Sequence, residues 1–410
     1  MSRKALALIV SLDTKAPEAA YLRERIAAQG VDVVVIDFGT GEPGFVPDVP
    51  AEAIATLGHG DIAALRQERN RAAAIDVMMR GAAAWAAKAY IEKRICGVVS
   101  VGGSGGTAVG TAAMRVLPFG APKVMVSTVA ASDIRQYVGT RDVTMINSVV
   151  DFAGINAISE PVLRGAAAAA AGMALALKAP LTSKKGRLVA ASQFGVTTPA
   201  IEHAGRLLAE AGYTLVPFHA TGIGGRTMED LIADRMFDGV LDLTTTEWAD
   251  EVVGGTLSAG ATRLEAAGKL GIAQVVAPGA LDMVNFFMAP VPDRFALRKL
   301  HRHNANVTLL RTSPSENTEI GRRIAQKLNA AAGPVTVLFP LRGFSALDAE
   351  GQVFFDPQAD AVLLQSLKDN LEANVQLEEL DLHINDPEFA RAAVSALLAH
   401  LGNWETTTHA

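Results

Sequence analysis

A single cysteine, Cys96, is all that 410 residues supply, which excludes an internal disulfide and any zinc site built from several thiolates. It lies in the apolar run 95–101, the setting of a small core residue. Long apolar stretches are also missing. The longest, 165–177, is alanine-rich, falls short of the roughly 18 residues a bilayer crossing needs, and suits a packed helix. Residues 5–10 are apolar, but Ser11-Leu12-Asp13-Thr14-Lys15 follows at once, leaving too short a core for a secretory signal. The expectation is a cytoplasmic protein with no membrane partner. Positive charge is scarce as well: the net charge is −6 and no segment clusters Lys and Arg, so a nucleic-acid partner is not expected. Residues 1–180 carry 18 basic and 16 acidic side chains, against 19 and 27 in 181–410, making the first half the better host for an anion.

What is present is an alternation of short β-branched runs with alanine-rich helical stretches, the pattern of parallel sheets with crossover helices. A chain this long exceeds what one core usually serves, so two domains are expected. In the first half, strands are predicted at 5–10, 31–37, 97–101, 123–127 and 143–146. Helices are predicted at 18–29, 66–94, 106–117 and 155–178, and the Gly- and Pro-rich segment 39–60 reads as an irregular loop. Ala179-Pro180-Leu181-Thr182-Ser183-Lys184-Lys185-Gly186 has linker chemistry, which sets the domains at 1–180 and 187–410. The alternation restarts beyond it, with strands predicted at 188–192, 214–218, 239–243, 274–276, 307–310, 335–339 and 375–378. Ser313-Pro314-Ser315-Glu316 is a capping box that announces a helix.

The strongest functional signal is Val98-Val99-Ser100-Val101-Gly102-Gly103-Ser104-Gly105-Gly106-Thr107, a strand entering a glycine cluster and then a helix. Without Cβ atoms the backbone can approach a ligand closely, and the amides of the following helix favour an anion such as phosphate. The spacing is neither a P-loop nor the usual dinucleotide fingerprint. A tight turn packing a helix onto the sheet accounts for the same glycines. Asp13, Thr14 and Lys15 lie in the turn directly after the first strand. In an open parallel sheet that turn and the glycine turn share the carboxyl rim, where ligands bind. Lys15 could reach a phosphate, while Asp13 and Thr14 could hold a metal-bound water or simply cap the helix. Thr128 follows another strand on the same rim and could meet a base or ribose.

In the second half, Glu247 and Asp250 lie three residues apart just past a strand. On a helix they would share a face, an arrangement usable for metal binding or acid/base work, although a solvated helix start favours acids equally. Gly254-Gly255-Thr256-Leu257-Ser258-Ala259-Gly260 and the segment 220–227 offer further backbone cradles, the latter ending near Arg226. His301 and His303 share a face only on an extended segment. With Asp282 or Glu247 they could ligate a divalent metal; hydrogen-bonded histidines are the alternative. Arg311 and Arg342 each follow a predicted strand, where a cleft anion or a surface ion pair would serve. Glu247, Asp250 and His303 are the catalytic candidates, and no nucleophile elbow is present.

Ser11-Leu12-Asp13-Thr14-Lys15, the 102–107 loop, Thr245-Thr246-Glu247-Trp248-Ala249-Asp250-Glu251, Pro278-Gly279-Ala280-Leu281-Asp282-Met283-Val284-Asn285, His301-Arg302-His303-Asn304 and His383-Ile384-Asn385-Asp386-Pro387 together resemble the Tm-one-like ATP-binding family, over essentially the whole chain. The resemblance implies two Rossmann-like, doubly wound α/β domains, ATP bound in the first, and a homodimer. It implies no settled reaction. Plant members carry a further barrel domain, whose activity would be absent from a chain ending soon after Leu401. The functional expectation is therefore ATP, with Mg2+ as its companion, held by Asp13, Thr14, Lys15, Gly102, Gly103, Ser104, Gly105, Gly106, Thr107 and Thr128. Phosphoryl or related transfer to a small anionic metabolite between the domains would follow. A nucleotide-responsive module without catalysis, and a metal-assisted hydrolase or lyase, are the alternatives.

Overall fold

The computed structural model describes residues 5–68, 70–177 and 186–407, with side chains up to Gly402. The chain divides into two compact units, residues 1–182 and 183–410. The linker read at 179–186 lies outside the described residues apart from Gly186.

The first unit runs β1 (Ala5–Val10), α1 (Leu12–Ala27), β2 (Val33–Asp37), α2 (Ala51–Leu57), α3 (Ile62–Glu68), α4 (Arg71–Ile91), β3 (Ile95–Gly102), α5 (Ser104–Arg115), β4 (Lys123–Ser127), α6 (Arg135–Val138), β5 (Thr144–Asn147) and α7 (Ser159–Ala176). Its five strands are all parallel, in the order β2-β1-β3-β4-β5. β1 is buried along its length because both faces of the sheet are covered. Leu6, Leu8 and Val10 join the core under α1 and α7, while Ala7 and Ile9 join the core under α2, α4 and α5. That two-residue period across one strand defines the three layers.

Several boundaries depart from the sequence expectation for local reasons. The single helix predicted over 66–94 is two helices, because the Asn70 side chain accepts from Ala73 N and starts α4 afresh. Segment 39–60 contains α2, which begins just after Pro50. α1 begins six residues early, at Leu12, and breaks its helical geometry at Lys15 (φ −130°, ψ 25°). Pro17 has no N–H to return to the Asp13 carbonyl, so that first turn is only loosely joined to the rest of α1.

The second unit runs β6 (Arg187–Gln193), a short 3-10 turn (Gly195–Thr197), α8 (Thr198–Glu210), β7 (Tyr213–His219), α9 (Ile223–Ala233), β8 (Gly239–Thr244), α10 (Glu247–Val253), α11 (Ala266–Leu270), β9 (Ala273–Gly279) and β10 (Met283–Phe287). It continues with another 3-10 turn (Asp293–Phe295), β11 (Leu300–Arg302), β12 (Val307–Arg311), α12 (Pro314–Asn329), β13 (Val335–Pro340), α13 (Pro357–Asn370), β14 (Val375–Leu380) and α14 (Pro387–Thr407). Six strands form a parallel sheet in the order β14-β13-β9-β8-β6-β7. The run at 307–310, expected among them, instead joins a three-stranded antiparallel sheet in the order β10-β12-β11. The fold is thus α/β with mostly parallel sheets. The capping box at Ser313 is formed in both directions with Glu316. No helix among the described residues is long and apolar enough to cross a membrane.

Candidate functional site

In the first sheet the chain reaches β2 on one side of β1, then crosses to β3 on the other. Such a reversal opens a crevice at the carboxyl ends of the central strands. A cleft of about 830 Å³ lies there, lined by both the 11–15 turn and the 102–106 turn, with Thr128 and Asp151. Its opposite wall is partly apolar, with Phe38, Leu65, Ala74, Ile75 and Met78 beside Thr40, Arg66, Asn70 and Arg71.

The glycines of the turn have different reasons to be glycine. A Cβ on Gly102 would sit 2.9 Å from Gly106 Cα, so strand end and helix start pack backbone to backbone. A Cβ on Gly103 would meet just the Thr128 hydroxyl, at 3.7 Å, and one on Gly105 would reach Ile75 Cδ1 across the cleft at 2.9 Å. Gly103 is the N-cap of α5 and offers no side-chain cap. The first bond back into the helix is Thr107 N to Gly103 O, so the amides of residues 104–106 have no acceptor inside α5. Thr107 itself does not line the cleft. It is buried, with its hydroxyl 2.9 Å from Gly103 O and 2.6 Å from Ser127 Oγ, and it anchors α5 to β4.

On the first turn, Asp13 accepts from the Ser11 hydroxyl and from Gly41 N at 2.8 Å, Thr14 is exposed, and Lys15 Nζ donates to Phe152 O at 3.1 Å. The geometry is set by a residue that sequence reading missed. Asp37, buried at the end of β2, accepts from Leu12 N at 2.9 Å and Gly39 N at 2.8 Å. Burial pushes its pKa up, and the two amide bonds oppose that shift. Arg66 and Arg71 also line the cleft and were likewise not singled out. Their signal was the pair of basic residues bracketing a helix break.

The second unit uses its glycine turns differently. Glu247 and Asp250 do share α10, but each carboxylate is buried and turned into a separate backbone cradle. Glu247 accepts from Gly222 N at 2.7 Å, Gly225 N at 3.1 Å and Arg263 Nε at 2.8 Å. A Cβ on Gly225 would lie 2.0 Å from its Oε2, and one on Gly255 would lie 1.5 Å from Asp250 Oδ1. Asp250 accepts from Asn285 N at 2.9 Å and Asn285 Nδ2 at 2.7 Å. The cradles expected to receive a ligand are therefore filled by the protein's own acids. Arg263, fully buried, also pairs with Asp242 and Glu229, and their charges hold its pKa well above the ordinary range against its own burial. Burial raises the pKa of Glu247, and raises that of Asp250 to about 7 against the Asn285 bonds.

His303 is exposed, its ring centroid 6.3 Å from that of His301. Neither is brought to Glu247 or Asp250 by any hydrogen bond among the described residues. Asp282 is buried, accepting from Ser345 Oγ at 2.8 Å with its other oxygen unpartnered. No group of three His, Cys, Asp or Glu that could hold a metal occurs among the described residues. Arg311 is buried, not a surface residue, and pairs with Asp360 at 2.6 Å and Asp348 at 3.5 Å. Arg342 does form an exposed ion pair, with Asp381 at 2.7 Å.

Two α/β units, the first with a glycine-lined cleft at its sheet reversal, define a Rossmann-like protein. The chain belongs to the uncharacterised protein family UPF0261, whose N-terminal domain model matches residues 4–179 and whose C-terminal domain model matches residues 186–401. A UPF0261 protein of Clostridium tetani is 47% identical over 398 residues, covering 96% of this chain and 98% of that one. The ToMV resistance protein Tm-1(GCR237) of Solanum lycopersicum is 40% identical over 416 residues, covering 95% of this chain and 55% of that protein. A solved UDP-N-acetylglucosamine 2-epimerase from Rickettsia bellii aligns over 98% of both chains at 11% identity with a TM-score of 0.24, a likeness too weak to carry an argument.

Proposed function

We propose that the first unit binds a nucleoside polyphosphate, ATP in the first instance, with its phosphates on the 103–106 turn. One contrast carries this reading. The glycine turns of the second unit are filled by Glu247 and Asp250, whereas the first amides of α5 have no acceptor within that helix and belong to residues that line a cleft. Backbone donors at a helix start, with the helix dipole behind them, are suited to phosphate oxygens. Lys15 adds positive charge, Thr128 a hydroxyl, and the apolar part of the wall a surface for a base. Mg2+ would arrive with the phosphates, and Asp13 and Asp151 are the carboxylates on that cleft.

The proposal is one of binding. Isothermal calorimetry with ATP tests it on the wild type and on Gly105→Val, whose side chain would enter the gap to Ile75. A loss of about tenfold or more in affinity is expected, with circular dichroism unchanged. Equal affinity in the folded variant would sink the reading. ATP consumption across a panel of small anionic metabolites separates group transfer from a nucleotide-responsive module: turnover assigns the first, binding without turnover the second. A homodimer and a cytoplasmic location belong to the same proposal, and light scattering and cell fractionation check them.

A further inference from the structure

Among the described residues, three basic side chains line the cleft of the first unit, and two of them are already engaged. Lys15 donates to the Phe152 carbonyl, and Arg66 donates to Thr40 O at 2.7 Å and pairs with Glu52 at 3.2 Å. Arg71 has no hydrogen bond or ion pair among the described residues. Its Nη2 lies 3.8 Å from where a Cβ would stand on Gly105, so the free guanidinium faces the glycine turn. Ile75, one helical turn further along α4, touches the same point and fixes which face of α4 looks into the cleft.

The position of Arg71 is unfavourable without a ligand. It is the first residue of α4, and no acid occupies that first turn. A cation at a helix amino-terminus opposes the macrodipole, and Arg71 forms no ion pair with a carboxylate among the described residues. An anion bridging α4 and the 103–106 turn would compensate both. A guanidinium also suits phosphate in particular, because its planar fork can donate two parallel bonds to one group.

We propose that Arg71 is the residue through which the cleft reads the phosphate charge of its ligand, so that the site selects nucleoside polyphosphates over monophosphates and nucleosides. This rests on the nucleotide reading of the same cleft. The distinguishing quantity is the gap in affinity between ATP and adenosine, which share base and ribose and differ in charge.

The experiment is calorimetry on the full chain with ATP, ADP, AMP and adenosine, for wild type, Arg71→Ala and Arg71→Lys. Arg71 is exposed and opposes the dipole of α4, so without ligand the variants are expected to melt at or slightly above the wild-type temperature. In Arg71→Ala, ATP affinity is expected to fall about 10- to 100-fold, the scale of a charge-assisted bond, while adenosine affinity stays level. Arg71→Lys keeps the charge without the fork and should fall between. The salt dependence of ATP binding should also flatten in Arg71→Ala. Equal losses for all four ligands, or none, would overturn the assignment of Arg71 and leave nucleotide binding standing. A wild-type protein that binds none of them overturns both.

Discussion

Arg311 shows how much chemistry a single buried side chain can gather. Asp282, Asp348 and Asp360 surround it, three carboxylates to one guanidinium, with His383 beyond Ser345 O. Removal from water raises the pKa of all three acids, the neighbouring carboxylates add to the rise, and Arg311 opposes it; Asp360 is pushed up to about 8. The folded protein therefore holds protons that the unfolded chain has already released above the ordinary carboxylate range. Stability from this cluster is full below about pH 4, declines as pH rises, and is lost once pH passes the folded value. Asp360→Asn should flatten the fall in urea midpoint between pH 6 and pH 9 and leave the variant the more stable form at the alkaline end, to an extent of about 1 kcal/mol or more. A pH profile parallel to wild type would refute the assignment. Such clusters are hard to see in sequence, because Asp282, Arg311, Asp348 and Asp360 come from four separate segments. Glu247 and Asp250 were visible as a pair on one helix, but nothing in their spacing says that each would enter a different glycine turn. The residues of the 102–106 turn were legible because strand, glycines and helix are contiguous there.

Elements were easier to read than contacts between them. Every strand of the two parallel sheets overlaps a run expected from the sequence, and β1, β3, β4, β8, β9 and β13 are buried along their length, as strands covered on both faces are. β10 and β11 were missed: Met283-Val284-Asn285-Phe286-Phe287 carries a buried Asn that serves Asp250, and Leu300–Arg302 is three residues long. Helix starts were obscured by tertiary partners, as at Leu12, where the Asp37 carboxylate supplies the cap from another strand. The wall of the cleft depends on such a tertiary detail. α2 and α4 meet backbone to backbone, and a Cβ on Gly81 would lie 1.9 Å from Ile54 O. Gly81→Ala must separate the two helices, despite the better helix propensity of alanine. A loss of about 1–3 kcal/mol is expected in chemical denaturation. Unchanged stability would show that the α2 to α4 contact is adjustable.

At the scale of the whole molecule, each unit has its own sheet and its own cores, so calorimetric unfolding should resolve into two transitions. On the proposed reading, ATP at a hundred times its dissociation constant stabilises the first unit by about 2.7 kcal/mol and leaves the other transition in place. Movement of both together, or of neither, would contradict independent units with a nucleotide in the first. The contrast between the two kinds of glycine turn gives this experiment its meaning. Glu247 and Asp250 are tethered within reach of their amides by the chain itself, so their effective concentration there is fixed by covalent geometry and no dilution removes them. The turn at 103–106 has no such resident, and on this reading it borrows its anion from solution. The second unit would then keep its shape through starvation, while the firmness of the first would rise and fall with supply.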